Sequence, residues 1–328
     1  MKSEISKSAA ICVICGPSKS RELFTVREHE YPDTTDDSFF IHECSTCGLI
    51  FLNPRPSEDE LPTIYPSNYY AFDLVKSDSK NSKISVRSIS GWFELRRILS
   101  ILKVHGKQQA KSVYDIGCGD GSDLDTFRRI LGPNIMTAGI DMSSVAVDRA
   151  RLRGHDVQAG LFSSELRTSE KFDVVISKHV IEHVEDPLGF LVKAGSLIAD
   201  GGLLIIDTPN VDSPLRKIFG RHWGGWHTPR HWYLFSPKTI RDLADRAGLR
   251  VVGVQHMPIN TFWVWGLHSF FFERNRKLAD KLFDPVGINT AGLWGVISLS
   301  IFQGFEIILK FFSRKTSQMR VVLTNGKM

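Results

Sequence analysis

From Lys111 onward, short apolar runs alternate with segments whose apolar residues recur every three to four positions. A short apolar run between turn signals reads as a buried strand, and the longer recurrence as a helix with one face inward. The pattern predicts strands at Ser112–Ile116, Met136–Asp141, His155–Ala159, Phe172–Ser177, Gly202–Asp207 and Arg250–His256. Helices are predicted at Ser122–Leu131, Ser143–Arg153, Asp186–Ala199 and Pro237–Ala247. Strands and helices in alternation give an α/β fold, a doubly wound sheet with helices on both faces.

Outside that block the pattern changes. Leu49-Ile-Phe-Leu52 reads as a strand, Asn53-Pro-Arg-Pro56 as an extended segment and Ser57–Leu61 as a short capped helix. Ser77–Ser90, rich in Ser and Lys, reads as a flexible linker. Trp92–His105 is amphipathic, with Trp92, Leu95, Ile98, Leu99 and Leu102 on one face. It is expected to lie over the α/β domain as a lid, membrane contact being the other reading. Six of the seven tryptophans fall between Trp223 and Trp294, and Asn289–Phe312 carries only Glu306 and Lys310 as charges among 24 residues. By length and apolarity alone that segment would suit a bilayer span.

A chain of 328 residues is long enough for one large domain and a small one. Its net charge of +5 is too weak to argue for nucleic acid by itself. The apolar run Ala9–Ile14 is too short for a signal peptide, so a cytoplasmic setting is expected. Four of the five cysteines form Cys12-Val-Ile-Cys15-Gly16 and Cys44-Ser-Thr-Cys47-Gly48. In a reducing compartment such pairs read as metal ligands rather than disulfides. Two such turns around the β-rich stretch Glu22–Glu43 predict Cys12, Cys15, Cys44 and Cys47 about a structural zinc. With four thiolates and no open position, that zinc would stabilise a fold rather than perform chemistry.

Val113-Tyr-Asp-Ile-Gly-Cys-Gly-Asp-Gly121 carries a strand into a glycine turn, and Asp141 ends the next strand. Such a βαβ unit suits an adenosine-containing cofactor. The glycines admit close backbone approach, the helix from Ser122 aims its positive end at an anionic group, and Asp141 can accept both ribose hydroxyls. The spacing is Gly-x-Gly-x-Gly, with Ser122 where a dinucleotide fingerprint has its third Gly. Asp115, Asp141 and Phe172-Asp-Val-Val-Ile-Ser177, followed by His179-Val-Ile-Glu-His183, complete the pattern. Together they resemble the class I S-adenosylmethionine (SAM) methyltransferases from about Lys111 to Gly253. The resemblance implies a Rossmann-like sheet of seven strands, with Met319–Thr324 as the seventh, antiparallel beside the sixth. It implies SAM held by Asp115, Gly117, Cys118, Gly119, Gly121, Asp141, Met142 and Ser177, Cys118 being a packing residue rather than a nucleophile. A span through Asn289–Phe312 would strand the seventh strand across a bilayer, so interfacial contact fits better. A buried or dimer-forming helix is the alternative.

Methyl transfer from a sulfonium needs a nucleophile held in line at about 3–3.5 Å. A hydroxyl nucleophile is helped by a base, for which histidine is the natural candidate. His179-Val-Ile-Glu-His183 also matches the H-x-x-E-H of zinc proteases. That reading is rejected, because the run follows a strand directly and Pro187 opens the next helix. In the methyltransferases this strand end rims the active site. Some quinone O-methyltransferases carry Glu-x-x-Glu-His there and bind a divalent metal with it; this chain has His179 in place of the first Glu. Glu182 and His183 are catalytic candidates, a structural role being the other reading. Arg221–Phe235, dense in His, Trp and Arg, follows the fifth strand on the side where open α/β sheets bind ligands. It supplies His231 as a third catalytic candidate and Trp226, His227 and Arg230 as substrate contacts. Tyr70, in a cluster with Tyr65 and Tyr69, is a fourth substrate candidate.

Three segments are expected: a zinc module at 1–56, linker and lid helices at 57–110, and a methyltransferase domain at 111–328 with an aromatic and apolar insert at 211–317. The layout resembles bacterial methyltransferases of polysaccharide and sugar modification. The function expected is SAM-dependent methylation of a small or lipid-linked acceptor, O-methylation of a glycan ahead of C-methylation of a nucleotide sugar. The alternatives are RNA methylation, with Lys76–Lys111 as a docking stretch, and a SAM-fold binding protein without turnover. The expected location is cytoplasmic, with peripheral contact at the inner membrane face through residues 289–312.

Overall fold

In a computed structural model, which describes residues 5–31, 33–66, 69, 86–162, 166, 168–285 and 292–326, five short strands come first. They are β1 (Lys7–Ser8), β2 (Ser20–Arg27), β3 (Ser38–Cys44), β4 (Ile50–Leu52) and β5 (Arg55–Pro56). In β3 the side chains of Phe39 and Ile41 turn inward while Phe40 and His42 do not, the period of two that a half-buried strand requires. β2, β3 and β4 run antiparallel in sequence order, and β1 pairs with β5.

The helix expected at Ser57–Leu61 is instead a 3-10 turn at Glu58–Glu60 leading into α1 (Leu61–Ile64). Ser57 makes no side-chain capping bond, so the start signal read there does not operate. Of the linker expected at Ser77–Ser90, residues 77–85 lie outside the described residues. Residues 86–90 already belong to α2 (Val86–Val104). Its inward stripe is Ile98, Ile101 and Leu102, packed with Val113, Leu124 and Phe127, while Leu99 is exposed. The helix is thus a layer of the α/β domain, shifted by one position from the expected face.

The remainder alternates as the pattern requires: β6 (Ser112–Ile116), α3 (Ser122–Leu131), β7 (Met136–Asp141), α4 (Ser144–Leu152), β8 (Asp156–Ala159) and β9 (Phe172–Lys178). Then follow α5 (Pro187–Ser196), β10 (Ile198–Pro209), α6 (Pro214–Phe219), β11 (Tyr233–Leu234), α7 (Pro237–Arg246) and β12 (Arg250–Met257). Three helices beyond them, α8 (Thr261–Phe272), α9 (Arg276–Phe283) and α10 (Gly292–Ser313), lead to β13 (Gln318–Thr324). Ser143, Asp186 and Ser236 cap α4, α5 and α7 through their side chains, and Pro187 and Pro237 occupy the first helical turn.

The main sheet has seven strands in the order β12-β13-β10-β9-β6-β7-β8. β13 is antiparallel to both β10 and β12, as the resemblance implied; β6 to β10 are mutually parallel where they pair. The chain winds outward from β6 to β7 and β8, then returns to place β9 on the other side of β6. That reversal leaves a crevice beyond the carboxyl ends of β6 and β9, the place where such sheets bind ligands. The small sheet is not confined to the N-terminal segment. β11 joins its edge, Tyr233 opposite Phe51 and Leu234 opposite Ile50.

Candidate active site

The strand β6 ends in Gly117, Gly119 and Gly121, all with positive φ (82°, 50° and 81°). An added Cβ at Gly117 would come within 2.6 Å of Val180, whereas at Gly119 it would meet nothing within 4 Å. Gly119 therefore faces open space with a bare backbone. Its N–H donates to Asp141 Oδ2 at 2.9 Å, and the Ser143 N–H donates to Asp141 Oδ1 at 2.8 Å. Each carboxylate oxygen keeps a further lone pair, so the side chain is aimed while still able to accept two more bonds. Burial raises the Asp141 carboxyl above its usual range, opposed by these two N–H groups.

The turn and the end of β9 enclose a cavity of about 340 Å³. It lies in the size range of small-molecule sites. Gly117, Gly119, Asp141 and Met142 line one part; Lys178, His179, Val180 and His183 line another. Tyr65, Tyr69, Phe162 and Trp232 add aromatic walls. A larger, shallower hollow of about 690 Å³ beside α3 is lined by Asp125 and Arg153, which pair with each other at 2.9 Å. It holds neither Asp141 nor any residue of the turn Gly117–Gly119 or of the β9 end, so the smaller cavity is the better candidate.

Other residues expected to touch the cofactor stand behind this wall. Asp115 is buried and one of its oxygens, Oδ2, finds no partner. Burial first, then the nearby Asp123, push its carboxyl well above the usual range. Cys118 is buried against the Gly139 position, where a Cβ would come within 2.9 Å of the Cys118 Cβ, as its packing role requires. Gly121 packs on His155, and Ser177 is buried without a partner for its hydroxyl.

The strand β9 ends at His179, whose φ of 55° turns the chain sharply. Its Nδ1 donates to Glu182 Oε1 at 3.0 Å, and the Thr208 hydroxyl donates to Glu182 Oε2 at 3.1 Å. The Glu182 carbonyl accepts from the Trp232 N–H at 2.7 Å. Burial opposes a charge on His179, but the Glu182 carboxylate outweighs it and raises the imidazole above its usual value. Glu182 is fully buried and does not line the cavity. Its role is to hold His179 and the Trp232 backbone.

His183 does line the cavity. Its Nδ1 lies 3.0 Å from the Arg230 carbonyl and 2.8 Å from the Tyr65 hydroxyl. A carbonyl only accepts, so the ring proton sits on Nδ1 and Nε2 keeps its lone pair. Burial drives the imidazole down to about 4, holding it neutral. Behind it the His231 ring packs at 4.7 Å, its Nδ1 donating to the Gly225 carbonyl at 2.8 Å. Ligand atoms of Glu182, His183 and His231 lie within 4.8 Å of one another, but His231 does not reach the cavity.

The substrate contacts expected from the His-Trp-Arg loop depart from expectation. Trp226, His227 and Arg230 are buried and none lines the cavity. Trp226 Nε1 donates to the Gly220 carbonyl at 2.9 Å. His227 donates through Nδ1 to Glu30 at 2.9 Å and stacks on Trp265 at 4.8 Å. Arg230 pairs with Glu28 and lies over the Tyr31 ring at 4.6 Å. Within the protein, the loop's side chains meet the β2–β3 connection and α8. Tyr70 lies outside the described residues.

A methyltransferase-domain family model matches residues 93–254, the stretch that carries the glycine turn, Asp141 and His179–His183. The ubiquinone biosynthesis O-methyltransferase of Cereibacter sphaeroides is 33% identical over 174 residues, covering 48% of this chain and 68% of that one. The chain is a class I SAM-dependent methyltransferase. A ubiquinone biosynthesis O-methyltransferase of a Ruegeria species is 32% identical over 170 residues, covering 47% of this methyltransferase and 67% of that protein. A solved SAM-dependent methyltransferase from Archaeoglobus fulgidus aligns at 17% identity over 77% of this chain and 98% of its own, with a TM-score of 0.47.

The methyltransferase carries two further groupings. The sulfurs of Cys12, Cys15, Cys44 and Cys47 lie within 4.8 Å of one another, Cys12 to Cys47 at 3.5 Å. A tetrahedral zinc with bonds of ~2.3 Å sets sulfurs ~3.8 Å apart. The donor set therefore fits such an ion. Gly16 and Gly48 close the two turns, their N–H groups donating to the Cys12 and Cys44 carbonyls at 2.8 and 3.0 Å. Beside the cavity, Lys178 donates to Glu94 at 2.5 Å and to Asp123 at 2.7 Å, while Arg320 reaches Glu94 and, twice, Asp207, each at 2.6 Å. The cations hold the Glu94 carboxyl down at about 2, against the effect of burial. Sequence reading did not single out Lys178, because its partners come from α2, α3 and, through Arg320, β13. Phe162 and Trp232 were missed as cavity walls for a similar reason; only Trp232, next to His231, carried a signal.

Proposed function

We propose that this methyltransferase moves a methyl group from SAM to a hydroxyl of a small, ring-bearing acceptor. The observation that carries the reading is that one cavity joins Gly117, Gly119 and Asp141 to His183, Tyr65 and Tyr69. SAM, when bound, supplies an electrophilic methyl carbon on a sulfonium. Gly119 admits its close approach, and the free lone pairs of Asp141 accept the two ribose hydroxyls. Gly117, Met142 and Phe162 wall the same space; Asp115, Cys118, Gly121 and Ser177 set the turn from behind. On the other side, the Nε2 lone pair of His183 accepts the acceptor's hydroxyl proton. His231 and Glu182 act through their neighbours, His231 by packing on His183 and Glu182 by holding His179. Tyr65, Tyr69 and Trp232 offer ring faces to a flat or saturated ring.

The names of the curated relatives favour a ring hydroxyl of quinone type over a glycan hydroxyl, and O-methylation over C-methylation. The four cysteines would hold a structural zinc, which would fix the N-terminal sheet and so the Glu28 and Glu30 that brace the acceptor wall. Mass analysis of products after feeding methyl-labelled SAM to cell extract separates the acceptors. A labelled phenolic or quinol ether supports the reading and a labelled sugar ether moves it to glycans. Label found only in RNA would end it.

A further inference from the structure

The helix α10 has its polarity inverted. Its inner stripe holds Ser298, Leu299, Phe302 and Glu306, all buried. Trp263 stacks on Phe302 at 5.8 Å, and the Ser317 hydroxyl donates to Glu306 at 2.8 Å. The outer stripe holds Ile297, Ile301, Phe305, Ile308, Phe311 and Phe312, all exposed, the last two at 80% and 78%. A surface helix ordinarily turns charge outward. Here the one acid between residues 292 and 317 is the buried Glu306. A continuous apolar face of this kind marks an interaction surface.

Charge says which kind. The apolar stripe ends beside two exposed cations, Arg314 and Lys310, the latter also donating to the His256 carbonyl at 2.8 Å, while Lys315 is paired with Asp212. Arg97 of α2 lies near enough to Lys310 for the two charges to repel. Aromatic and aliphatic side chains bordered by Arg and Lys match the boundary between acyl chains and anionic headgroups. Among the described residues no helix is long and apolar enough to cross a membrane, so the contact lies in the surface plane. The Asn210 N–H donates to the Ser317 carbonyl at 2.9 Å, and Gln318 pairs with Pro209. The Phe311 end of α10 therefore sits at the carboxyl edge of the sheet, the edge where the cavity opens.

We infer that the outer face of α10 docks this methyltransferase on an anionic lipid surface, Phe311 and Phe312 entering the acyl boundary and Lys310 and Arg314 meeting the headgroups. The inference does not depend on which acceptor is methylated. Its test is flotation of the purified protein with vesicles of phosphatidylcholine alone or mixed with phosphatidylglycerol. The wild type floats with the mixed vesicles and less with neutral ones. Ile308→Ser/Phe311→Ser/Phe312→Ser weakens flotation by about tenfold or more while calorimetric binding of S-adenosylhomocysteine stays unchanged. Arg314→Glu removes the preference for the anionic lipid. Should the triple variant lose cofactor binding as well, quenching of wild-type tryptophan fluorescence by bromine-labelled acyl chains decides the matter without it. Wild type that stays at the bottom of the gradient with both vesicles overturns the proposal, as does the absence of quenching. So does a stable dimer in sedimentation that the triple variant dissolves, with no vesicle binding by either form.

Discussion

The glycine turn and the His-Trp-Arg loop flank the same crevice, and by residue type the loop is the richer in chemistry. The side chains read there as substrate contacts are nonetheless bonded within the protein, and none of them reaches the cavity. Arg230 is matched by Glu28, His227 by Glu30, His231 by a carbonyl and Trp226 by another. In the turn, Asp141 is held by two N–H groups and still has lone pairs facing a cavity. A site is recognised by bonding capacity left facing a cavity after folding, not by the density of reactive side chains. His183 stands on the boundary, with one nitrogen committed to the loop and one left over.

The sharpest way to break that comparison is at the boundary. His183→Asn should lower kcat by about a hundredfold to ten-thousandfold if its spare nitrogen takes the hydroxyl proton. A kcat within a factor of about three would reduce His183 to a wall residue. Next comes the saturated side: Arg230→Met leaves the Glu28 carboxylate buried without its partner, which should cost about 3–5 kcal/mol of unfolding free energy in urea titrations. No change in the urea midpoint would mean that the loop is not braced as described. Asp141→Ala should leave the fold intact and weaken S-adenosylhomocysteine binding by about 1–3 kcal/mol in calorimetry; equal affinity would remove the ribose role. Smallest is Tyr69→Phe, which takes away the hydroxyl bonded to His227 Nε2 at 3.1 Å. It should cost about 0.5–1.5 kcal/mol.

Acid offers a further way to load the saturated side. Burial holds His29 down at about 3 and His183 at about 4. An unfolded histidine titrates near ~6.5, so from there down to about pH 4 the unfolded chain binds more protons than the folded one. Stability contributed by these neutral rings is full above that window and falls as pH drops through it. Buried carboxyls act in the opposite sense there, Glu30 being raised to about 7 by burial, so the effect of the rings is read against a variant: the wild-type urea midpoint should fall more steeply across the window than that of His29→Asn. Equal slopes for the two proteins down to about pH 4.5 would contradict the burial of the His29 ring.

Much of the α/β domain was legible because its signals are local. Alternation placed six of the seven strands to within a few residues and the family resemblance the seventh, with β10 the largest misjudgement because Gly202 read as its start rather than as part of an irregularity within it. Ser143 and Asp186 marked their helices from the cap position. The cysteine turns and Asp141 were legible for the same reason, since spacing fixes their geometry. What escaped was settled by distant partners. Nothing near Arg230 in the sequence announces Glu28, and Lys178 is matched from α2 and α3. The face of α10 that meets water was hidden as well, since an apolar run does not say which side its neighbours cover.

The pairing of β11 with β4 bears on how the molecule comes to be built. Cys12, Cys15, Cys44 and Cys47 are made before the α/β domain, and an ion bound by them would hold β2 and β3 in place ahead of it. The edge of β4 then waits, its backbone groups unpaired, while about 180 further residues are made before Tyr233 and Leu234 can cover it. During that interval the nascent chain presents a short, sticky strand to whatever lies nearby. Its closure by β11 waits for that strand to be made, and then ties the α/β domain back onto the cysteine-bearing segment.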